Sequence, residues 1–164
     1  MSEASQQVTI DVPIAAVYQQ WMNAESFAVF VPAVSAVTAS TEIYSHWTVT
    51  VGRLTREFDI EITEQLPEER VAWRTITGDL SFSGRADFEA AGDLGTVVTV
   101  TVDWTPGTAV ERAAAALGGE GRAIRAVLHD FKAHVEKTGG PSGHSYVTLK
   151  SVDAEGAPGS TDTA

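Results

Sequence analysis

The chain has 164 residues, 43% apolar and 20% charged, the composition of one globular domain with a single sizeable core. Eleven Lys and Arg against 22 Asp and Glu leave a net charge of −11; without a basic footprint to neutralise phosphates this argues against nucleic-acid binding, and the same charge disfavours docking on anionic lipid. Cysteine is absent, which removes disulfides, thiolate nucleophiles and Cys-held metal sites; no apolar run approaches the ~18 residues of a membrane span.

The first residues carry neither a basic start nor an apolar run, so no secretory signal is read and a cytoplasmic location is expected. Val8-Thr9-Ile10-Asp11-Val12 alternates as a strand and stops at Pro13. Proline fits a first helical turn, and Ile14, Val17, Tyr18 and Trp21 then recur at helical spacing. A second short helix is expected over 24–30, where Phe27 and Phe30 stand three apart before Pro32.

From Val34 the period changes to two. Strands are read at 34–40, 43–51, 54–65, 70–77, 81–90 and 95–105, separated by turn formers such as Gly52-Arg53, Gly78-Asp79 and Gly92-Asp93-Leu94-Gly95. Tight turns between consecutive strands predict an antiparallel meander. After Pro106-Gly107 an apolar stripe on Val110, Ala113, Leu117, Ile124, Leu128, Phe131 and Val135 predicts a long helix. Gly118-Gly119-Glu120-Gly121 interrupts it, predicting a kink or a loop between two helical pieces. Residues 1–140 are read as the domain. Residues 141–164 are read as a disordered, acidic, Gly/Ser-rich tail in which only His144 to Lys150 has strand character.

Alternation sorts the strands into faces. Arg74 and Arg85 fall among Glu57, Glu61 and Asp87 on the charged face, the pattern of cross-strand ion pairs. The other face presents Trp47, Phe58, Trp73, Phe82, Phe88 and Trp104, interleaved with Ser45, Thr75, Thr77 and Gly84. One helix laid over such a lining leaves a cavity walled by rings with a few hydroxyls, the chemistry of a small-molecule site.

The order strand, two short helices, six antiparallel strands, long helix resembles the START-like, helix-grip superfamily (SRPBCC). Val8-Thr9-Ile10-Asp11-Val12-Pro13 with Val17-Tyr18-Gln19-Gln20-Trp21 is similar to its opening strand, proline and first helix. Glu25-Ser26-Phe27 and Phe30 are similar to its second helix. His46-Trp47, Glu57-Phe58-Asp59, Ile62-Thr63-Glu64-Gln65 and Val71-Ala72-Trp73-Arg74 resemble strands of the polyketide cyclase/dehydrase and coenzyme-Q-binding branch. Gly84 with Phe88, Thr96 to Val102, and Asp130-Phe131-Lys132 with Glu136 continue the likeness. It implies an α+β helix-grip fold, a curved antiparallel sheet of about seven strands wrapped around a long C-terminal helix. It also implies a deep cavity for a polyketide, isoprenoid quinone or lipid.

The ligand-binding candidates are Phe30, Trp47, Arg56, Phe58, Trp73, Thr75, Phe82, Trp104 and Leu128. Arg56 is the one charge with inward parity on the central strands, able to hold a ligand carbonyl or, in a cyclase, an enolate. It is the weak catalytic candidate; no other residue is assigned to catalysis. His46, His129 and His134 lack metal-ligand spacing, and Ser81 and Ser83 lack His–Asp partners. The glycines at 118–121 follow a helix rather than a strand and so do not form a phosphate loop. No metal or cofactor is expected. The sequence supports first a carrier or binding protein for a hydrophobic small molecule, then a polyketide aromatase/cyclase, then a partner-binding or chaperone-like protein. It fixes no oligomeric state.

Overall fold

The computed structural model describes residues 2–115 and 118–139. Among the described residues seven strands form one antiparallel sheet in the order β1-β7-β6-β5-β4-β3-β2. In chain order they are β1 (Ser2–Ile10), β2 (Val34–Ala39), β3 (Tyr44–Val51), β4 (Leu54–Leu66), β5 (Arg70–Gly78), β6 (Phe82–Ala90) and β7 (Thr96–Trp104). Helix α1 (Ile14–Met22) and a 3-10 turn (Ala24–Ser26) running into α2 (Phe27–Phe30) link β1 to β2; α3 (Ala109–Ala115) and α4 (Glu120–Thr138) follow β7. Among the described residues no helix is long and apolar enough to cross a membrane.

Strand β1 differs from expectation: it begins at Ser2 and ends at Ile10, rather than spanning Val8 to Val12. Ser2-Glu3-Ala4-Ser5-Gln6-Gln7 carries no apolar alternation, so its conformation comes from tertiary pairing. It runs residue for residue along β7, from Ser2 opposite Trp104 to Ile10 opposite Thr96. The expected interruption in the C-terminal helix is a break between two helices, at Gly118 and Gly119, both with positive φ (96° and 108°). Glycine adopts that geometry without the Cβ clash of other residues. The tail expected over 141–164 and its segment His144 to Lys150 lie outside the described residues.

Helix α4 covers the apolar face of the sheet. Leu128, Phe131 and Val135, at 3- and 4-residue spacing, are buried on it, together with Ile10, Val17, Phe27, Val71, Phe88 and Val98 from the rest of the core. Rings bind the layers together. Phe131 lies 5.1 Å from Trp21 and 6.0 Å, stacked, from Phe27, and Tyr18 meets Phe88 edge-on at 5.6 Å. A smaller cluster of Phe58, Ile60 and Leu80 sits under α3 at the other end of the sheet.

The outer face carries the expected ion pairs. Arg74 reaches Glu61 at 3.0 Å, while Arg70 and Arg85 share Asp87 at 2.7 and 3.1 Å. These pairs lie in solvent, where screening leaves each only a small contribution to stability.

A bulge changes one expected orientation. Asp59 pairs with Thr77 and Ile60 with Thr75, so β5 has one residue more than β4 at this point. The extra residue rotates the strand end. Thr77, expected on the inner face, donates its hydroxyl to the outer-face carboxylate of Asp59.

Candidate functional site

Between the sheet and α4 lies a cavity of about 410 Å³. Its size falls within the usual range for small-molecule sites, roughly 300–1,000 Å³. The wall is built by four parts of the fold. Trp47, Phe58, Trp73 and Phe82 project from the sheet, with Ile62, Val71, Val100 and Val102 between them. Ile124, Val127 and Leu128 come from α4, and Trp21 and Phe27 close one end from α1 and α2.

Local chemistry positions these rings. Trp47 donates its indole N–H to the Ser45 hydroxyl, two residues back on the same face, at 2.8 Å. Its ring stacks on Phe58 across the β3–β4 pair at 6.4 Å and 8°. Phe58 in turn meets Phe82 edge-on at 5.4 Å. Trp73 stands directly opposite Gly84 on β6, and a Cβ at Gly84 would lie 2.8 Å from the indole. The missing side chain is what lets this indole lie across β6 while it faces the cavity.

Of the nine candidates, five form part of the wall: Trp47, Phe58, Trp73, Phe82 and Leu128. The other four are placed elsewhere. Phe30 is packed between Phe27 at 5.0 Å and the His134 ring, stacked at 4.7 Å. Thr75 bridges the end of the β5–β6 pair, accepting from Phe82 N–H at 3.0 Å and donating to the Phe82 carbonyl at 3.2 Å. Trp104 lies under α3, its indole N–H donating to the Glu111 carboxylate at 3.1 Å. That carboxylate also accepts from the Gly107 N–H, and the two hydrogen bonds hold its pKa below the ordinary value. Arg56 keeps inward register, paired with the wall residue Val49, but its guanidinium turns back to donate to the Thr55 carbonyl at 2.9 Å. It stands at the β3–β4 hairpin end, beyond the wall.

Sequence reasoning missed the contribution of the first helices. Trp21 was legible as a helical core position, and its helix ends at Met22 above the cavity, so the same spacing that marks the core also marks this wall. The mouth was missed as well. Its exposed and half-buried lining residues place it between Asn23, Ala24 and Glu25 on one side and Ala39, the hairpin loop Thr41 to Ile43 and the start of β3 at Tyr44 and Ser45 on the other. The first side is braced from below: the amide of buried Gln20 donates to the Ser26 hydroxyl at 2.8 Å, which donates to the Asn23 carbonyl at 2.6 Å. The second is shaped by Thr41, whose hydroxyl accepts the N–H groups of Ile43 and Tyr44. Glu25 joins the two, its carboxylate accepting the Ala39 N–H at 2.9 Å.

Two histidines have displaced pKa values in opposite senses. On the outer face His46 lies between Glu57 (2.9 Å) and Asp59 (2.8 Å), and these hydrogen bonds raise its pKa, Glu57 having the larger effect. His134, against Phe30, is lowered by burial and secondarily by Lys137. Neither ring belongs to the cavity wall. Among the described residues no group of three or more His, Asp and Glu is arranged to hold a metal ion.

The profile of the family described as polyketide cyclase / dehydrase and lipid transport matches residues 10–132. An uncharacterized 17.2 kDa protein of Streptomyces lincolnensis is 34% identical over 143 residues, covering 87% of this chain and 95% of that one. Among solved structures, a START superfamily protein from Mycobacterium smegmatis superposes with a TM-score of 0.70 at 13% identity, over 83% of this chain and 98% of its own. An aromatase/cyclase from Streptomyces sp. R1128 gives 0.68 at 17% identity, over 83% and 94%. The sheet, the covering helix, the cavity between them and the sequence match agree, and the chain belongs to the polyketide cyclase/dehydrase and lipid-transport family.

Proposed function

We propose that the protein binds a hydrophobic small molecule, of the polyketide, isoprenoid quinone or lipid kind, in the cavity between sheet and α4, and acts as its carrier or binding protein. Family membership supports a hydrophobic-ligand or cyclase role in general terms. The observation that carries the finer reading is the distribution of polarity in the wall. Away from the mouth the wall is made of Trp21, Phe27, Ile62, Val71, Trp73, Val102 and Leu128, while Asn23, Glu25, Thr41, Glu42 and Ser45 all lie at or near the opening. An apolar ligand gains about 25 cal/mol for each Å² it removes from water there, with no partner required.

A cyclase needs more. Enolisation or dehydration of a poly-β-ketone calls for an acid, a base or an oxyanion donor within reach of the folded chain. Arg56, the candidate for that role, has its guanidinium on the Thr55 carbonyl, and the hydroxyl of Thr75 is engaged by the Phe82 backbone. The carrier reading therefore stands ahead of the cyclase reading, and a partner-binding role comes third. A cytoplasmic location accompanies this proposal, supported by the absence of cysteine.

Native mass spectrometry of the purified full chain tests it. A co-purifying species bound one to one, or stoichiometric uptake of a neutral lipophilic probe, is the expected result. A protein that arrives empty and takes up no such probe would overturn the proposal.

A further inference from the structure

We infer that the cavity mouth selects against anionic head groups, so that the ligand is a neutral or cationic amphiphile whose polar end donates hydrogen bonds. This deepens the binding reading above and rests on it. An amphiphile placed in this cavity leaves its polar end at the mouth, because burying it unpaired against Val71, Trp73 and Val102 costs several kcal/mol. The mouth is where its charge is read.

Two carboxylates stand there, one on each side. Glu25 sits on the braced 3-10 turn and is fixed by the Ala39 N–H, which leaves its other oxygen for a ligand donor. Glu42 sits at the tip of the β2–β3 hairpin, exposed, with no hydrogen-bond or ion-pair partner among the described residues. No Lys or Arg among the described residues lines any part of the cavity. The nearest guanidinium by register, Arg56, is turned to Thr55, and Arg74 on the outer face is held by Glu61. A carboxylate or phosphate head therefore meets two like charges and no counter-charge. An alcohol, phenol or ammonium head meets two acceptors.

The experiment is competition for the neutral probe N-phenyl-1-naphthylamine by three head groups on one alkyl chain: dodecanol, dodecylammonium and dodecanoate. It uses the full chain at about pH 8, where an exposed carboxylate is ionised, and at low ionic strength. Dodecanoate is expected to compete about tenfold less well than dodecanol, and dodecylammonium at least as well as dodecanol. The Glu25→Gln/Glu42→Gln double variant, whose amide oxygen still accepts the Ala39 N–H, should bring dodecanoate close to dodecanol. About 0.5 M salt should narrow the same gap. Equal competition by all three, or a gap that the double variant leaves unchanged, would overturn the inference while leaving the binding proposal intact. Failure of the probe itself to bind would overturn the binding proposal, and the selectivity with it.

Discussion

Gly84→Ala is a one-methyl test of how the cavity wall is built. Gly84 carries no conformational demand for glycine, since its φ is not among the positive ones, so backbone strain does not enter. What the substitution adds is a Cβ 2.8 Å from Cε2 and Cζ2 of Trp73 and 2.9 Å from its Nε1. Carbon atoms rest about 3.5–4.0 Å apart, so the indole must retreat by roughly an ångström. Trp73 is rigid, directly paired with Gly84, and has the Trp21 ring 5.9 Å away on another side. Retreat into the cavity is the open direction. Overpacking of this kind costs about 1–3 kcal/mol, or roughly 3–10 °C in Tm for a domain of this size. The cavity should also lose volume on the order of one water molecule, ~30 Å³. Thermal unfolding and titration with a neutral lipophilic probe measure the two effects. Both stability and affinity should fall, and Trp73→Phe in the Gly84→Ala background should recover part of the stability by giving the methyl room. A Gly84→Ala protein unchanged in both Tm and probe affinity would refute the placement of Trp73 between β6 and the cavity.

The remaining predictions concern charge and the mouth. In an NMR titration His46 should titrate above 6.5 and His134 below it, because carboxylates raise the first and burial lowers the second. The linked stability has opposite signs. The His46 contribution is complete below pH 6.5 and is lost as pH rises through its raised pKa, whereas that of His134 is present above pH 6.5 and is lost as pH falls through its depressed one. Glu57→Gln should move the His46 midpoint down, and an unmoved midpoint would contradict the pairing. Glu25→Ala removes the hydrogen bond to the Ala39 N–H that joins the two sides of the mouth. Stopped-flow should show faster probe release, with about 0.5–1.5 kcal/mol of stability lost; an unchanged release rate would mean ligands pass elsewhere. Arg56→Leu should fold and bind neutral probe as before, and weakened binding would place the guanidinium in the cavity.

What the sequence made legible, and what it hid, follow from the reach of each signal. Strands β3 to β7 were readable because one face is buried and one is wet, which writes a period of two into residues such as Phe58, Ile60 and Ile62 against Glu57, Asp59 and Glu61. The first half of β1 was not, since Ser2 to Gln7 take their conformation from pairing with β7 rather than from their own pattern. Parity also breaks silently at a bulge. Nothing in the composition around Ile76 announces that Thr77 turns outward to Asp59. The wall was legible where inward parity coincided with the middle of the sheet, as at Trp47, Phe58 and Trp73. It failed at the ends, where Trp104 is covered by α3 and Arg56 turns away on its hairpin. Parity assigns a face; only the packing of the helices decides which part of that face stays empty.

Indole resonances give the most direct test of the central claim that this particular space takes the ligand. The chain has four tryptophans. Trp21, Trp47 and Trp73 belong to the cavity wall, and Trp104 is bonded to Glu111 beneath α3. Adding one equivalent of a neutral lipophilic probe to ¹⁵N-labelled protein should shift the indole N–H signals of those three, each assigned by its Phe variant, and leave the Trp104 signal in place. Binding that leaves all four unmoved, or that moves Trp104 alone, would contradict the account.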